Sequence, residues 1–278
     1  MAECIGKYYI EDGTLRDTKS FNVSVIYEGE VVYEVLRVID GIPLFFEDHL
    51  DRMEDSLRLV GRKALSSGSE LLECIKILVR ENEIRNGNIK IIYHFSSSRN
   101  RSMVYNIEAQ YPERQLYETG VDTILFDAER KNPGAKVFNF RLRSSILDEL
   151  VRKSAYEAFL VNSHECITEG SRSNVYFIKG NSVITAADEF VLGGITRKYV
   201  LKICAENSIK LEYRCFPVQD LDKAEAVFLS GTSPHLLPVR SIDDFRFRVD
   251  HPVLKTLIDS YCAIVESYIS LRKELEQI

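Results

Sequence analysis

Thr168-Glu169-Gly170-Ser171-Arg172-Ser173-Asn174 stands between two strand-like segments, Gly193-Gly194-Ile195-Thr196-Arg197 opens a helical pattern, and Ser230-Gly231-Thr232-Ser233 closes a strand. Each is a turn of small residues offering hydroxyls and open backbone amides, and the first adds a carboxylate; together they form the donor set of a socket for an anionic ring cofactor. Thr196 is placed as the N-cap of its helix, and helix N-termini bind phosphate through their unpaired amides and the dipole. A carboxylate such as Glu169, held by neighbouring amides and hydroxyls, suits the protonated nitrogen of a pyridine ring. Around these turns the pattern predicts strands near 156–162, 174–178, 182–186, 209–215 and 226–230 and a helix from Thr196. Strand and helix signals mix without strict βαβ alternation, which predicts an α+β fold rather than a doubly wound sheet.

The same mixture extends toward the start of the chain. Residues 23–38 are β-branched and aromatic, broken by Gly29 and closed by Asp40-Gly41, the pattern of a hairpin. Phe46, Leu50, Met53, Leu57 and Val60 then recur at steps of four, three, four and three, a helical stripe stopped by Gly61 that leaves His49, Arg52 and Ser56 to one side. Ser67-Gly68-Ser69-Glu70 is a capping box for a second helix carrying Leu71, Leu72, Ile75, Leu78 and Val79 to near Asn86-Gly87. Strands are expected at 89–95 and 104–111. The polar, Pro-Gly-punctuated stretch 127–134 has no apolar periodicity and predicts a boundary: a small α/β domain at 1–126, an interdomain loop at 127–135 and a larger domain at 136–278 with a barrel-like sheet. In the larger domain a helix from about Ser145 is expected to turn Ile146, Leu147, Leu150, Val151 and Ala155 inward. A long amphipathic helix through Val253, Leu257, Tyr261, Val265 and Ile269 ends the chain.

Bulk composition narrows the chemistry. The chain has 278 residues, 45% of them hydrophobic, enough for a large core, and its formal charge of −6 comes from interspersed acids and bases. That balance offers no footprint for nucleic acid or an anionic membrane and leaves small-molecule chemistry. Met1-Ala2-Glu3-Cys4-Ile5-Gly6-Lys7 lacks the apolar stretch of a leader and no later segment is long and apolar enough for a span, so a cytoplasmic protein is expected. The six cysteines are scattered without a C-x-x-C pair, and the five histidines show no metal-ligand spacing, so neither a disulfide framework nor a metal is expected.

Taken singly, each of these turns is an ordinary surface turn; their order is the signal. Tyr33-Glu34-Val35-Leu36-Arg37-Val38-Ile39-Asp40-Gly41, His49-Leu50-Asp51-Arg52, the Thr168–Asn174 turn, Leu192-Gly193-Gly194-Ile195-Thr196-Arg197 and Ala226-Val227-Phe228-Leu229-Ser230-Gly231-Thr232-Ser233 resemble, in this order, the class IV pyridoxal-phosphate aminotransferases. That family holds branched-chain and D-amino-acid aminotransferases and aminodeoxychorismate lyases. The resemblance covers roughly residues 30–245 and implies the two-domain fold type IV, with pyridoxal 5'-phosphate as cofactor. It implies Arg52, Ile195, Thr196 and Thr232 at the phosphate and Glu169 at the pyridine nitrogen. The catalytic lysine of the family precedes a helix in a K-x-x-N setting, which Lys136-Val137-Phe138-Asn139 matches. It also implies a homodimer, with amino acids and 2-oxo acids as substrates in a ping-pong reaction.

Substrate choice follows the departures. Branched-chain members usually carry tyrosine after that asparagine, where this chain has Phe140, and their D-R-G-F-x-x-G-D lead-in is replaced by Val25-Ile26-Tyr27-Glu28-Gly29-Glu30. Tyr33 matches a tyrosine that D-amino-acid enzymes place at the substrate carboxylate, and Arg99-Asn100-Arg101 resembles their R-x-H pair with arginine at the second position. Tyr33, Arg99, Arg101 and Ser233 are therefore the substrate-binding candidates. A branched-chain L-amino acid or a D-amino acid is the expected donor. The alternatives are a lyase, which would favour an arginine directly after Asn139, and a non-catalytic member of the family.

Overall fold

Residues 30–39 realise their strand propensity as one ten-residue strand whose two faces serve different ends. Val32, Leu36 and Val38 enter one core; Val31 enters another, with Tyr33 packed against it. The computed structural model describes residues 3–27 and 29–276; Met1, Ala2 and Glu28, which figure in the reading above, lie outside the described residues.

The chain divides into two compact units. The first comprises residues up to Gln110, the segment Ala135–Phe138 and the chain from Val265 on; the second comprises Tyr111–Gly134 and Asn139–Ile264. In the first lie β1 (Ile5–Glu11), β2 (Thr14–Asp17), β3 (Glu30–Ile39), β4 (Ile42–Pro43), α1 (Phe46–Leu59), α2 (Gly68–Glu81), β5 (Gly87–Phe95) and β6 (Arg101–Ile107). In the second lie α3 (Arg114–Thr119), β7 (Val121–Asp127), α4 (Phe140–Lys153), β8 (Glu157–Val161), β9 (Cys166–Gly170), β10 (Asn174–Lys179), β11 (Ser182–Thr185), α5 (Ile195–Glu206), β12 (Lys210–Tyr213), β13 (Phe216–Pro217), β14 (Ala226–Gly231), β15 (His235–Ile242) and β16 (Phe245–Arg246). The last helix, α6 (Pro252–Glu276), contains the division at 264/265.

Among the described residues, the strands of the first unit pair in the order β2-β1-β6-β5-β3-β4. One face of this sheet is covered by α1 and α2 through Val32, Leu36, Ile89, Ile91, Met53, Leu57, Ile75 and Leu78. Each such fully buried aliphatic side chain contributes about 1.5–3 kcal/mol by leaving water. The capping box at the start of α2 is formed in both directions, Glu70 N donating to Ser67 Oγ (3.3 Å) and Ser67 N to Glu70 Oε2 (2.7 Å). The second unit is a long mixed sheet in the order β12-β11-β10-β14-β15-β7-β8-β9-β13, with β16 on β15. This is the mixed architecture of the fold type expected from the sequence.

Four local expectations are corrected. Residues 23–26 form a 3-10 turn rather than a strand, so the hairpin pairs β3 with β4 across the expected Asp40-Gly41 turn, both residues at positive φ (51° and 82°). The division falls at 110/111 rather than within 127–135, because β7 pairs in parallel with β8 and β15 and so belongs to the second sheet. Residues 135–138 return to the first unit. α4 begins at Phe140, capped by Asn139 Oδ1 accepting from Leu142 N (3.2 Å), and turns Ile146 and Leu150 inward against Ile124, Ala158 and Leu160 while Leu147 (57% exposed) and Val151 (72% exposed) face outward. At 100° per residue, neighbours of an inward pair are carried off the narrow buried stripe.

That orientation has a measurable consequence. Leu150→Ala and Ile146→Ala should each cost about 2–4 kcal/mol in chemical denaturation, whereas Leu147→Ala and Val151→Ala should stay within about 0.5 kcal/mol. Equal losses from the two pairs would contradict the assigned face.

Candidate active site

Lys136 sits in a short segment that behaves as an added strand. Tyr33 N donates to the Lys136 carbonyl (3.1 Å), Phe138 N donates to the Val31 carbonyl (3.0 Å), and Val137 bridges Val32 in antiparallel fashion. The N–H of Lys136 donates to Ser56 Oγ (3.1 Å), whose own hydroxyl donates to the Arg52 carbonyl one turn earlier on α1 (2.9 Å). The main chain at Lys136 is thus fixed from β3 and from α1 at once. Strand alternation sends Val137 into the α1–α2 core and leaves Lys136 and Phe138 with Tyr33. The Lys136 ammonium lies 5.1 Å from the Tyr33 ring centre, and the Phe138 ring meets the same ring edge-on at 6.0 Å.

Glu34, the next residue along β3, points to the opposite face and has no solvent exposure. Its carboxylate accepts from Arg52 Nε (2.8 Å) and Nη2 (2.6 Å) and is joined to His49 Nδ1 (2.8 Å). Burial opposes ionisation of Glu34, but the Arg52 charge and the hydrogen bonds from His49 and Arg52 outweigh it and hold the carboxyl well below the carboxylate range. Burial dominates at His49 and lowers its pKa in spite of Glu34, so the imidazole is neutral at pH 7 with its Nδ1 proton assigned to the Glu34 bond. His49, Arg52 and Ser56 follow a three- and four-residue spacing and form a second inward face beside the apolar stripe of α1. Arg52 is therefore found with its guanidinium fork committed to Glu34.

In the second unit Glu169 lies buried in β9 rather than in the turn that follows. Its carboxylate accepts from Leu192 N (2.9 Å) and from Arg130 Nη1 (3.0 Å). A second buried carboxylate, Glu157 of β8, shapes the turn after Gly170 by accepting from Ser171 Oγ (2.5 Å), Ser173 Oγ (3.0 Å) and Arg172 N (3.2 Å). A Cβ at Gly170 would stand 2.0 Å from Ser173 Oγ, so a side chain there would push that hydroxyl off Glu157. Asn174 Nδ2 donates to the Leu192 carbonyl (2.9 Å), and its Oδ1 comes so near Gly194 that a Cβ there would stand 2.1 Å away. This contact seats the 192–194 loop, and with it the amide that serves Glu169.

Gly194 is the N-cap of α5 in extended conformation and gives no side-chain cap, so the first-turn amides from Ile195 onward are left for another acceptor. Thr196 is accordingly the second helical residue and not the cap; it is buried, with its hydroxyl 3.4 Å from that of Tyr261. Thr232 and Ser233 occupy the half-buried turn between β14 and β15. Arg99 and Arg101 lie at the β5–β6 connection, where Arg99 pairs with Asp12 (2.5 Å) and Arg101 approaches Glu11 (3.5 Å). The structure brings Tyr33, Arg52 and Lys136 to adjoining parts of β3 and α1, and holds the two arginines instead at the β1–β2 acids.

The fold is that of the class IV aminotransferases: the branched-chain amino acid aminotransferase of Escherichia coli superposes with a TM-score of 0.83 at 21% identity, over 94% of this chain and 95% of that one. A hypothetical aminotransferase from Mycobacterium tuberculosis, solved in its PLP-bound form, superposes with a TM-score of 0.80 at 18% identity, over 94% and 99%. Residues 31–242 match the family model for amino-transferase class IV, and the chain belongs to that family. A D-alanine aminotransferase from Bacillus licheniformis is 31% identical over 227 residues, 77% of this chain and 80% of the relative. The protein is thus a pyridoxal-phosphate-dependent aminotransferase.

The donor groups fit that cofactor. A primary amine with a fixed main chain suits the aldehyde, a buried carboxylate held by its own donors suits a protonated ring nitrogen, and uncapped helix amides with a buried hydroxyl suit the phosphate. Five contributors went unread in the sequence. Glu34 had a signal, a carboxylate in the apolar row Val32-Glu34-Leu36-Val38, where a buried charge needs a partner. His49 and Ser56 shared helical spacing with Arg52. Arg130 and Glu157 carried no local signal, because their partners are distant in sequence.

The buried cluster sets an acid limit on stability. Both folded-state pKa values are lowered, so the stabilisation is complete above the ordinary values of 6.5 for His49 and 4.5 for Glu34 and is lost as pH falls below each. The unfolding midpoint should be flat above about pH 7, decline below 6.5 as His49 of the unfolded chain takes up a proton that the folded one refuses, and decline further below 4.5. His49→Asn, which keeps a donor for Glu34, should remove the upper limb; Glu34→Gln should cost about 3 kcal/mol or more at pH 7 by stranding Arg52. An unchanged slope between pH 6.5 and 5 in His49→Asn would exclude His49 as its source.

Proposed function

We propose that this aminotransferase carries the amino group of a D-amino acid or a branched-chain L-amino acid to a 2-oxo acid in two half-reactions, as a cytoplasmic homodimer. Membership of the family supports the dimer. The D-alanine aminotransferase relative and the presence of Tyr33 on the Lys136 face favour the D-amino-acid side. The observation that carries the reading is the clamp on Lys136, whose carbonyl and N–H are both held while its ammonium stays over an aromatic ring.

Pyridoxal phosphate supplies an aldehyde for the amino group and a ring that accepts negative charge from the substrate α-carbon. Lys136 Nζ would act as the base that takes the α-proton and as the acid that delivers it two bonds away, to the carbon of that aldehyde. Glu169 holds a proton on the ring nitrogen, with Arg130 and the Leu192 amide fixing the carboxylate. The Ile195 and Thr196 amides and the Thr196 and Thr232 hydroxyls would take the phosphate, and Arg52, its guanidinium held by Glu34, is assigned to it as well. Ser56 keeps the Lys136 main chain from drifting. Tyr33 and Ser233 are assigned to the substrate; Arg99 and Arg101 would have to leave Asp12 and Glu11 to join them.

Cofactor-loaded protein should show a visible absorption band that D-alanine bleaches faster than L-leucine or L-glutamate. Lys136→Ala should lose that band and about 10³-fold of the transamination rate. A Lys136→Ala protein with the band and rate intact would move the catalytic role to another amine.

A further inference from the structure

α6 buries Leu254, Leu257, Tyr261 and Val265, a row at helical spacing in which a phenylalanine would pack as well as Tyr261 does. The hydroxyl is what packing leaves unexplained, because a phenol taken out of water costs stability until it finds a hydrogen-bond partner. It lies 3.4 Å from Thr196 Oγ1, a long hydrogen bond between two buried residues. The Tyr261 ring also meets His235 edge-on at 5.1 Å and Tyr199 at 6.4 Å. His235 pairs with Gly231 across the turn that carries Thr232, and Tyr199 lies in α5 three residues after Thr196. One side chain of the last helix thus reaches both of the turns assigned to the phosphate.

A hydroxyl has a single proton to give. Between a phenol and an aliphatic hydroxyl the phenol is the stronger acid and the aliphatic oxygen the better acceptor, so the shared proton is assigned to Tyr261. That leaves the Thr196 proton for another acceptor, and hydrogen bonds linked in a chain polarise and strengthen one another. A threonine in a helix can instead turn its proton back to the carbonyl four residues earlier. For Thr196 that carbonyl is Leu192, in the loop ahead of α5, where it already accepts from Asn174 Nδ2 (2.9 Å). A buried tyrosine backs a hydroxyl at the other turn as well: the Tyr176 and Ser230 hydroxyls lie 2.9 Å apart at the end of β14. Burial raises the Tyr176 pKa, which keeps that phenol protonated and able to donate.

We propose that Tyr261 is a positioning residue for the cofactor phosphate: its hydroxyl donates to Thr196 Oγ1 and turns the Thr196 proton outward to the phosphate, while its ring sets the start of α5 against the β14–β15 turn. The inference rests on the reading of Thr196 at the phosphate and deepens it. It gives α6 a part in cofactor retention through Thr196, without a phosphate contact of its own.

The test titrates pyridoxal phosphate, and separately pyridoxal, into the full-length chain freed of cofactor, followed by the visible absorption of the bound ring. Four proteins are compared: wild type, Tyr261→Phe, Thr196→Val and the double variant. Tyr261→Phe keeps the ring and removes only the hydroxyl; it should weaken pyridoxal phosphate by about 5- to 10-fold, the scale of one hydrogen bond, and leave pyridoxal unchanged. Thr196→Val should weaken pyridoxal phosphate by about 30-fold, the scale of a bond to a charged group. Because Tyr261 acts through Thr196, the double variant should bind within about twofold of Thr196→Val alone. Fully additive losses in the double variant, or equal losses for pyridoxal and pyridoxal phosphate in Tyr261→Phe, would show a packing role only and overturn the proposal. Weakened binding in Thr196→Val with none in Tyr261→Phe would overturn it while leaving Thr196 at the phosphate. Unchanged affinity in Thr196→Val would remove Thr196 from the phosphate and sink both readings.

Discussion

A carboxylate taken out of water must be met by donors or give up its charge, and this requirement organises both units of the protein. Glu34, Glu157 and Glu169 are exposed by 0%, 2% and 3% respectively. Each is met by two or more donors from other elements. Glu34 draws the His49–Arg52 face of α1 against β3, and the same helix then presents Ser56 to the N–H of Lys136. Glu157 gathers the turn 171–173, which delivers Asn174 to the 192–194 loop and so the Leu192 amide to Glu169. Apolar burial supplies most of the stability of these sheets but has no direction. Direction at the reactive groups comes from charge-assisted hydrogen bonds, which are strongest where the surroundings are driest.

That division of labour explains what could be read from the sequence. Features written within a few residues were legible: the Ser67–Glu70 capping box, the stripe Phe46-Leu50-Met53-Leu57, the glycine-led start of α5. Features defined by pairing across the chain were not. β7 looks like the last strand of the first domain until its register shows Val121 beside Val239 and Thr123 beside Glu157. β9 reads as turn because Thr168 and Glu169 weaken its strand pattern, although it is held by neighbours on the sheet. The segment around Lys136 has no strand signal of its own and is extended because Val31 and Tyr33 offer it main-chain partners. At Leu147 and Val151 local apolarity misled, since the stripe that α4 buries is narrower than its run of apolar residues.

The same accounting separates two kinds of lysine in one unit. Lys136 is half-buried and its position is set through its main chain, which leaves the ammonium to be placed by rotamer choice above Tyr33. Lys90 is set by its strand and enclosed by rings, so its position is fixed and its charge is what must be answered. A group that must move a proton between two atoms needs the first arrangement, whereas the second keeps a charge in one place.

Arg52 carries the argument one step further. With Nε and Nη2 committed to Glu34, its rotamer freedom is already spent before any anion arrives, which removes about 0.5–1.5 kcal/mol of ordering cost from binding. The Glu34 charge that fixes it also offsets much of its positive field. In the proposed reading Arg52 therefore contributes direction more than net attraction, and the attraction for a phosphate falls to the uncapped start of α5 and the hydroxyls of Thr196 and Thr232, at about 1.5–3 kcal/mol for each bond to a charged group. Such a site is built from amides whose positions depend on Gly194 and Asn174, so its strength is a property of loop geometry and not of the number of basic residues. This agrees with a chain whose net charge is −6 and which nonetheless belongs to a family that binds a phosphorylated cofactor.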